Sequence, residues 1–527
     1  MTTFTKSTAA GETPLVEVDP SKRLSKIDPM IYGGFTEHMG RCIYGGIYEP
    51  GNPHGLSDAT TGFRTDVLAA LQELDIPVIR YPGGNFCATY HWADGIGPAA
   101  SRPSRPELAW LGVETNAFGT DEFMSWLEAL QRPGRPRVEP YLCLNMGTGT
   151  LDEALAWVEY CNGTRDTYWA NRRRANGRAA PYGVRYWALG NEVWGPWQVE
   201  QLAKEDYARK AAQWAKALRL LDPDIRLVLC GETGHSSWDH HVLRECVDWV
   251  DLHSVHIYTA AGGSHLKNAT APLTAERAIQ IAAGLIDLAR IERSTSNGSS
   301  SAAALTSSGS GAPSTLSRPA PKICFDEWNV WDPSRAPGDQ GAEERYTLSD
   351  ALAVAVWLNV FVRQSRWVGM ANIAQTVNVI SPLMTSPRGI VRQATWWPLL
   401  LFSRHMRGWT VAAHVRCGAY AGETHPAWLQ GVLAESGGAP WLDVSASVGE
   451  DGVASLAVVN IHETEDFEVE LKGVVGSDVT VYLVSGEKLD DVNTEGSEKV
   501  GLSESKWEGG GSYTFPKHSF TMLRWKA

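Results

Sequence analysis

A closed (β/α)8 barrel carrying an additional all-β sandwich domain of jelly-roll type is the α/β fold class that the sequence predicts, and three observations predict it. Eight short β-branched or aromatic runs alternate with longer amphipathic ones, the signature of parallel βαβ units. No G-x-G-x-x-G or G-x-x-x-x-G-K-[ST] turn accompanies them, which removes the usual reason for an open doubly wound sheet. Beyond about residue 407 the helical periodicity gives way to alternating stretches such as SLAVVNIH, FEVELKGV, VTVYLVSG and SFTMLRW, the pattern of an antiparallel sandwich.

The candidate barrel strands are, in order, MIYGGF (30–35), PVIRYPGG (77–84), VEPYLCLNM (138–146), VRYWALGNE (184–192), IRLVLCGE (225–232), VDLHSVHIY (250–258), KICFDEWNV (322–330) and ANIAQTVNVI (371–380). Between them FRTDVLAALQELD, TDEFMSWLEALQ, LDEALAWVEY, VEQLAKEDYARKAAQWAKALRLLD, ERAIQIAAGLIDLARI and LSDALAVAVWLNVFV repeat apolar residues every three or four positions, as helices do. Thr120 is the expected N-cap of the second of these, with acids in the first turn at the positive end of the helix dipole. Gly147-Thr148-Gly149-Thr150 is simplest read as a loop ending in an N-cap at Thr150. The expected division is a catalytic barrel over 24–400 and a sandwich built from 1–23 plus 401–527, the early strand PLVEVD pairing into it. Residues 294–321, rich in Ser, Gly and Ala, cannot bury enough surface to offset their ordering entropy and are expected to be a flexible insert.

Composition narrows the function classes. The 527 residues carry 47 basic and 60 acidic side chains, a net charge of −13, which argues against nucleic acid or an anionic membrane as partner. The 22 tryptophans serve either core packing or the stacking of sugar faces. Eight scattered cysteines show no metal-site spacing and are expected to be reduced and buried; His240, His241 and His253 also lack metal-ligand spacing and are expected to be solvated or capping. No metal and no cofactor are therefore expected. The N-terminus has no apolar signal core, so a cytoplasmic location is expected, with secretion the alternative if a leader has been removed. Short sequons at Asn162, Asn268 and Asn297 carry little weight without a leader.

Function in such a barrel sits at the C-terminal strand ends. There the sequence places Glu37 and His38, then Arg80 with Pro82-Gly83-Gly84-Asn85, then Asn191-Glu192, His256 and Tyr258, Asp326-Glu327, and finally Gln375 and Asn378. Glu192 and Glu327 each terminate an apolar strand, where a carboxylate is costly unless paired or functional. Either one alone is equally an exposed strand end or a partner of Arg80. Together, on strands four and seven of one barrel, they face each other across its mouth, as glycoside hydrolysis requires. Arg80 or His256 beside Glu327 would hold it anionic.

The stretches GFTEHMGRCIYGGIYEPG, RYPGGNF, WALGNEVWG, HIY, DEWNVW and AQTVNVI resemble glycoside hydrolase family 51, in family order, and the β-rich tail resembles its C-terminal sandwich. The resemblance implies a retaining, exo-acting α-L-arabinofuranosidase with Glu192 as acid/base and Glu327 as nucleophile. Glu37, Asn85 and Asn191 would bond furanose hydroxyls, Arg80, Tyr258 and Gln375 would steady the nucleophile and the sugar, His256 would lie close to Glu327, and Trp331 would form an aromatic wall. Arg80 and His256 are alternatively structural strand-end hydrogen bonds, and Trp331 alternatively a core residue. The implied partner is an arabinofuranosyl oligo- or polysaccharide, bound by a homo-oligomer. An endo-β-glucanase or xylanosidase of the same clan, or a non-catalytic carbohydrate-binding protein, are the alternatives.

Overall fold

The computed structural model describes residues 2–7, 11–260, 263–298, 318–336, 342–474 and 478–527, without the side chains of 295–298. Eight parallel strands close into a barrel in sequence order: Gly33–Phe35, Val78–Tyr81, Glu139–Cys143, Tyr186–Leu189, Arg226–Leu229, Leu252–Thr259, Lys322–Val330 and Val368–Ile373. Inward side chains such as Val78, Tyr141, Val228 and Met370 fill the interior, so the barrel is a packed core with its working surface at the strand ends.

Two strands differ from the sequence pattern. Residues 29–32 form a 3-10 turn, because Pro29 follows Asp28, whose carboxylate accepts the Met30 N–H at 3.1 Å; only Gly33–Phe35 is strand. The eighth strand is Val368–Ile373 rather than 371–380, so Gln375 and Asn378 lie beyond it. Residues 376–380 are nonetheless buried, and that is why their composition imitates a strand. Thr150 caps the helix Leu151–Asn162 through the Glu153 N–H, but Thr120 is helical: Gly119 holds the cap position, its N–H on Glu122 at 2.9 Å. His240 is exposed and His241 half-buried, whereas His253 is fully buried with Nε2 2.9 Å from Asp239. All eight cysteines are free and buried. Asn268 is buried on Asp350 and Asn162 holds Val184 and Asp222, so neither sequon side chain is free.

The expected insert at 294–321 begins inside the helix Leu273–Gly298, and its residues 299–317 lie outside the described ones. Leu15–Lys26 pairs antiparallel with Trp409–Cys417 and parallel with Phe467–Lys472, placing an N-terminal strand inside the C-terminal sheet. Val16, Val18, Val411, Val415, Leu456 and Leu523 are among the residues of that sandwich's separate core. Helix Leu348–Arg363 joins the two bodies. It is buried almost throughout, as its largely apolar sequence requires. Among the described residues, no helix is long and apolar enough to cross a membrane.

Candidate active site

Arg80, at the end of the second strand, organises the mouth of the barrel. It is fully buried, with its guanidinium 4.5 Å from the Phe35 ring centroid. One terminal nitrogen donates to Glu327 Oε1 at 2.6 Å and to the Asp326 carbonyl at 3.3 Å; the other donates to Asn191 Oδ1 at 2.6 Å. That last bond orients the Asn191 amide, whose Nδ2 then faces Asn85 Oδ1 at 3.3 Å. Tyr258 donates to the second oxygen of Glu327 at 2.8 Å, so both carboxylate oxygens are held by donors.

Adjacent side chains on a strand ordinarily point to opposite faces. Asp326 and Glu327 nevertheless both reach the mouth, because the pairing register shifts between Ser254 and His256 on one side and between Phe325 and Trp328 on the other. Asp326 then accepts from Tyr141 at 2.8 Å and Ser254 at 2.5 Å. Burial alone would raise its pKa, but the Arg80 charge, then His256 and Ser254, outweigh burial and hold Asp326 well below the usual carboxylate range.

His256 bridges the two glutamates. Its Nδ1 lies 2.9 Å from Glu192 Oε1 and 3.6 Å from Glu327 Oε2, and its Nε2 lies 3.3 Å from Asp326. Burial disfavours the imidazolium, yet the charges of Glu327 and Asp326 and the bonds to Asp326 and Glu192 raise its pKa well above the ordinary value. One carboxylate oxygen of Glu192, one of Glu327 and a ring nitrogen of His256 all lie within 4.8 Å of one another. These three could geometrically hold a metal ion. Arg80 already neutralises one of the carboxylates, so the donor set is not short of positive charge.

Glu37 is gripped from three sides: Oε1 accepts the Phe86 N–H at 3.1 Å and the Trp110 indole at 3.2 Å, and Oε2 accepts Gln375 Nε2 at 3.1 Å. Gln375 also accepts the Glu37 backbone N–H at 3.2 Å. The structure thus places Gln375 on Glu37, and its described hydrogen bonds do not reach Glu327. Burial, with the neighbouring Glu327 charge, raises Glu37 to about 7. Trp331 stands half-buried at the rim, edge-on to Tyr258 with centroids 5.2 Å apart.

Backbone geometry makes room for this crowding. A Cβ on Gly83 would lie 2.5 Å from Glu37 Cγ, and one on Gly84 would lie 2.9 Å from Glu327 Oε1. The Pro-Gly-Gly turn thus lets the chain pass close between the two acids. Glu192 itself sits at φ +41°, a conformation non-glycine residues seldom adopt and one that concentrates at functional sites.

Sequence reasoning missed two contacts. Trp110 comes from the tip of a hairpin, Arg105–Pro106 against Val113–Glu114, inside the long excursion that follows strand two. Trp197 is 54% exposed and donates its indole N–H to Glu192 Oε2 at 2.9 Å. For Trp197 the signal was its place five residues after Glu192; for Trp110, deep in an irregular loop, no local signal exists.

Two family models match this chain, the α-L-arabinofuranosidase 1 domain over residues 70–270 and the α-L-arabinofuranosidase C-terminal domain over residues 326–519. Over its full length and that of the relative, the chain is 61% identical to a probable α-L-arabinofuranosidase C of Aspergillus fumigatus. It is 32% identical, over 93% of both chains, to an intracellular exo-α-(1→5)-L-arabinofuranosidase of Halalkalibacterium halodurans. Its structure resembles that of the thermostable GH51 α-L-arabinofuranosidase of Thermotoga petrophila, with a TM-score of 0.84 and 34% identity over 97% of this chain and 100% of that one.

Proposed function

The chain belongs to the α-L-arabinofuranosidases of glycoside hydrolase family 51, and from that premise we propose how the mouth of its barrel releases terminal non-reducing α-L-arabinofuranosyl residues. The observation that carries the reading is the approach of the Glu192 and Glu327 carboxylates to within 4.8 Å. Double displacement needs carboxyl groups about 5–5.5 Å apart, whereas an inverting enzyme leaves roughly 6.5–9.5 Å for a water molecule.

In the first step Glu327 attacks the anomeric carbon while Glu192 delivers its proton to the departing oxygen, leaving a covalent arabinosyl ester on Glu327. In the second step Glu192, now a carboxylate, takes a proton from water as that water's oxygen attacks the same carbon, and the Glu327 carboxylate departs. Arg80 and Tyr258 serve both steps: their donors aim Glu327 before attack and stabilise it as the leaving group afterwards. His256 lies against both glutamates, and its raised pKa favours a positive charge between them. Asn191, Asn85 and Glu37 face the furanose hydroxyls. With a pKa near neutrality, Glu37 can donate as well as accept there. Trp331 and Tyr258 wall the sugar's apolar edge.

The fungal and bacterial relatives' names support the substrate, an arabinofuranosyl side chain or arabinan end. The intracellular relative supports a cytoplasmic site of action. Assembly as a homo-oligomer follows from the family resemblance, and light scattering behind a sizing column tests it. For the reaction, a panel of aryl glycosides should show turnover of the α-L-arabinofuranoside well above the β-xyloside and β-glucoside. Proton NMR should show the α-anomer of arabinose formed first. First-formed β-arabinose would remove Glu327 as nucleophile.

A further inference from the structure

On the same face of the barrel as the catalytic pair lies a cavity of about 820 Å³ that the mechanism above does not use. It falls within the size range of ligand sites, about 300–1,000 Å³. One wall is the excursion after strand two, contributing Phe86, Tyr90 and Trp92; the other is the start of helix Leu151–Asn162 together with Trp169 from the helix after it. Trp92 and Trp169 meet edge to face with centroids 5.0 Å apart, so the aromatic wall is rigid.

Carboxylates are prominent among the polar groups around these rings, beside Thr89, His91, Arg105, Asn116 and Thr148, and most of them already have a hydrogen-bond or ion-pair partner. Asp94 is paired with Arg105 at 2.9 Å, Glu153 with His91 at 3.0 Å, and Glu114 with His38 at 2.8 Å. Glu107 accepts the backbone N–H groups of Ala109 and Trp110 at 2.6 and 2.7 Å. A carboxylate holding one or two donors keeps lone pairs for further ones. Such a lining offers acceptors to hydroxyl groups without demanding a cation, and its excess of acids repels an anion. The half-buried Trp169 ring, with acceptors beside it, suits a neutral sugar chain.

We propose that this cavity is a second saccharide-binding site, holding a neutral segment of the polymer whose terminal arabinofuranosyl residue sits between Glu192 and Glu327. The proposal rests on the arabinofuranosidase reading and extends it from one sugar unit to a length of chain. The two sites share their partition. Phe86 lines the cavity while its N–H holds Glu37, and Glu107 lines it while fixing the turn that presents Trp110 to Glu37.

The test compares a substrate that cannot reach the cavity, an aryl α-L-arabinofuranoside, with linear arabinan. The variants are Trp169→Ala and Asp152→Ala, both on the wall away from the Trp110 hairpin. Each should leave kcat/KM on the aryl substrate within about twofold and raise KM on arabinan, by roughly threefold to tenfold for Trp169→Ala. Asp152 is exposed, so its variant decides the matter if Trp169→Ala fails to fold. Unchanged arabinan kinetics in both variants, or equal losses on both substrates, would overturn the second site and leave the arabinofuranosidase intact. Absence of any aryl arabinofuranoside turnover in the unaltered enzyme would instead bring down the functional reading itself.

Discussion

Two buried arginines, one at the barrel mouth and one between barrel and sandwich, do opposite things with the same chemistry. Arg363 ends the largely buried helix Leu348–Arg363 and meets Asp443 of the sandwich at 2.9 Å and Glu276 at 3.0 Å. Asn359 and Gln364 donate to the same two acids, so each carboxylate is held by the arginine and by one amide. Arg80 faces a surplus. Around it and His256 are gathered Asp326, Glu327, Glu192 and Glu37, its own Nε lacks a hydrogen bond, and Glu192 sits at positive φ. A network that closes on itself serves cohesion. One left over-supplied with carboxylates and strained is held in place by the surrounding fold, and its residual demand is available to a substrate.

That contrast yields its sharpest test in a pair of substitutions. Glu327→Gln should cost turnover by more than about 10⁴-fold, while the unfolding temperature stays level or rises, because one of the crowded negative charges is gone. Arg363→Met should do the reverse. Leaving Asp443 and Glu276 buried without their partner should cost about 3–5 kcal/mol of stability, with kcat per folded molecule unchanged. Thermal unfolding and active-site titration of both variants separate the two roles. Loss of stability in Glu327→Gln matching that in Arg363→Met would erase the distinction.

Within the mouth, the proposed mechanism gives Glu192 the proton transfers and Glu37 a contact to the sugar. Glu192→Ala should slow natural substrates by roughly 10²–10⁴-fold, yet slow aryl glycosides with good leaving groups far less, since those need little protonation. Equal losses on both substrate types would count against Glu192 as the acid/base. A smaller effect is expected for Glu37→Gln, roughly 10–100-fold in kcat/KM from one charged hydrogen bond. Its signature lies in the pH profile. Glu37 ionises at about 7 in the folded protein, so in the unaltered enzyme the proton is present below that pH and absent above it. The profile of the Gln variant should lack an inflection near neutrality.

Much of this was readable from the sequence. Eight strand-like runs, Glu192 and Glu327 on runs four and seven, and the change of texture after residue 407 led to the barrel, its candidate site and the sandwich, because each depends on periodicity along a contiguous stretch, although strand seven continues past Glu327 to Val330. What escaped depends on long-range approach. The eighth strand was placed three residues late, because 376–380 are buried as a loop and carry a strand's composition without a strand's pairing. Gln375 was expected to steady the nucleophile and the sugar, and its hydrogen bonds go to Glu37 rather than to Glu327, an outcome set by where the chain turns after that strand. His253 was expected to be solvated or capping, but only the fold shows that it is buried with Asp239 behind it. Trp110 reaches Glu37 through a hairpin 24 residues beyond Phe86, whose own N–H shares the same oxygen, and no local pattern encodes that meeting.

The mildest prediction concerns two buried histidines pushed in opposite directions. His256, among three carboxylates, is raised; His265, at the seam between the domains, is lowered to about 4 by burial, which outweighs the opposing hydrogen bond of the Ile461 carbonyl. The Ile461 carbonyl lies 3.0 Å from His265 Nε2 and can only accept, so Nε2 carries the hydrogen and Nδ1 accepts from Ser349 at 2.9 Å. A neutral ring fits that seam. Because the folded pKa lies below the unfolded value of about 6.5, the unfolded chain takes up the proton first. The contribution of His265 is therefore complete above about pH 6.5 and drains away as pH falls toward 4, a difference on the order of 3 kcal/mol. Chemical denaturation at stepwise pH should show His265→Ala less stable than the unaltered protein at pH 7, with the gap closing near pH 4 and aryl arabinofuranoside turnover at pH 7 unaffected. A gap that stays constant across that range would mean that the seam tolerates an imidazolium. The interface would then share the charge sensitivity assigned to the mouth alone.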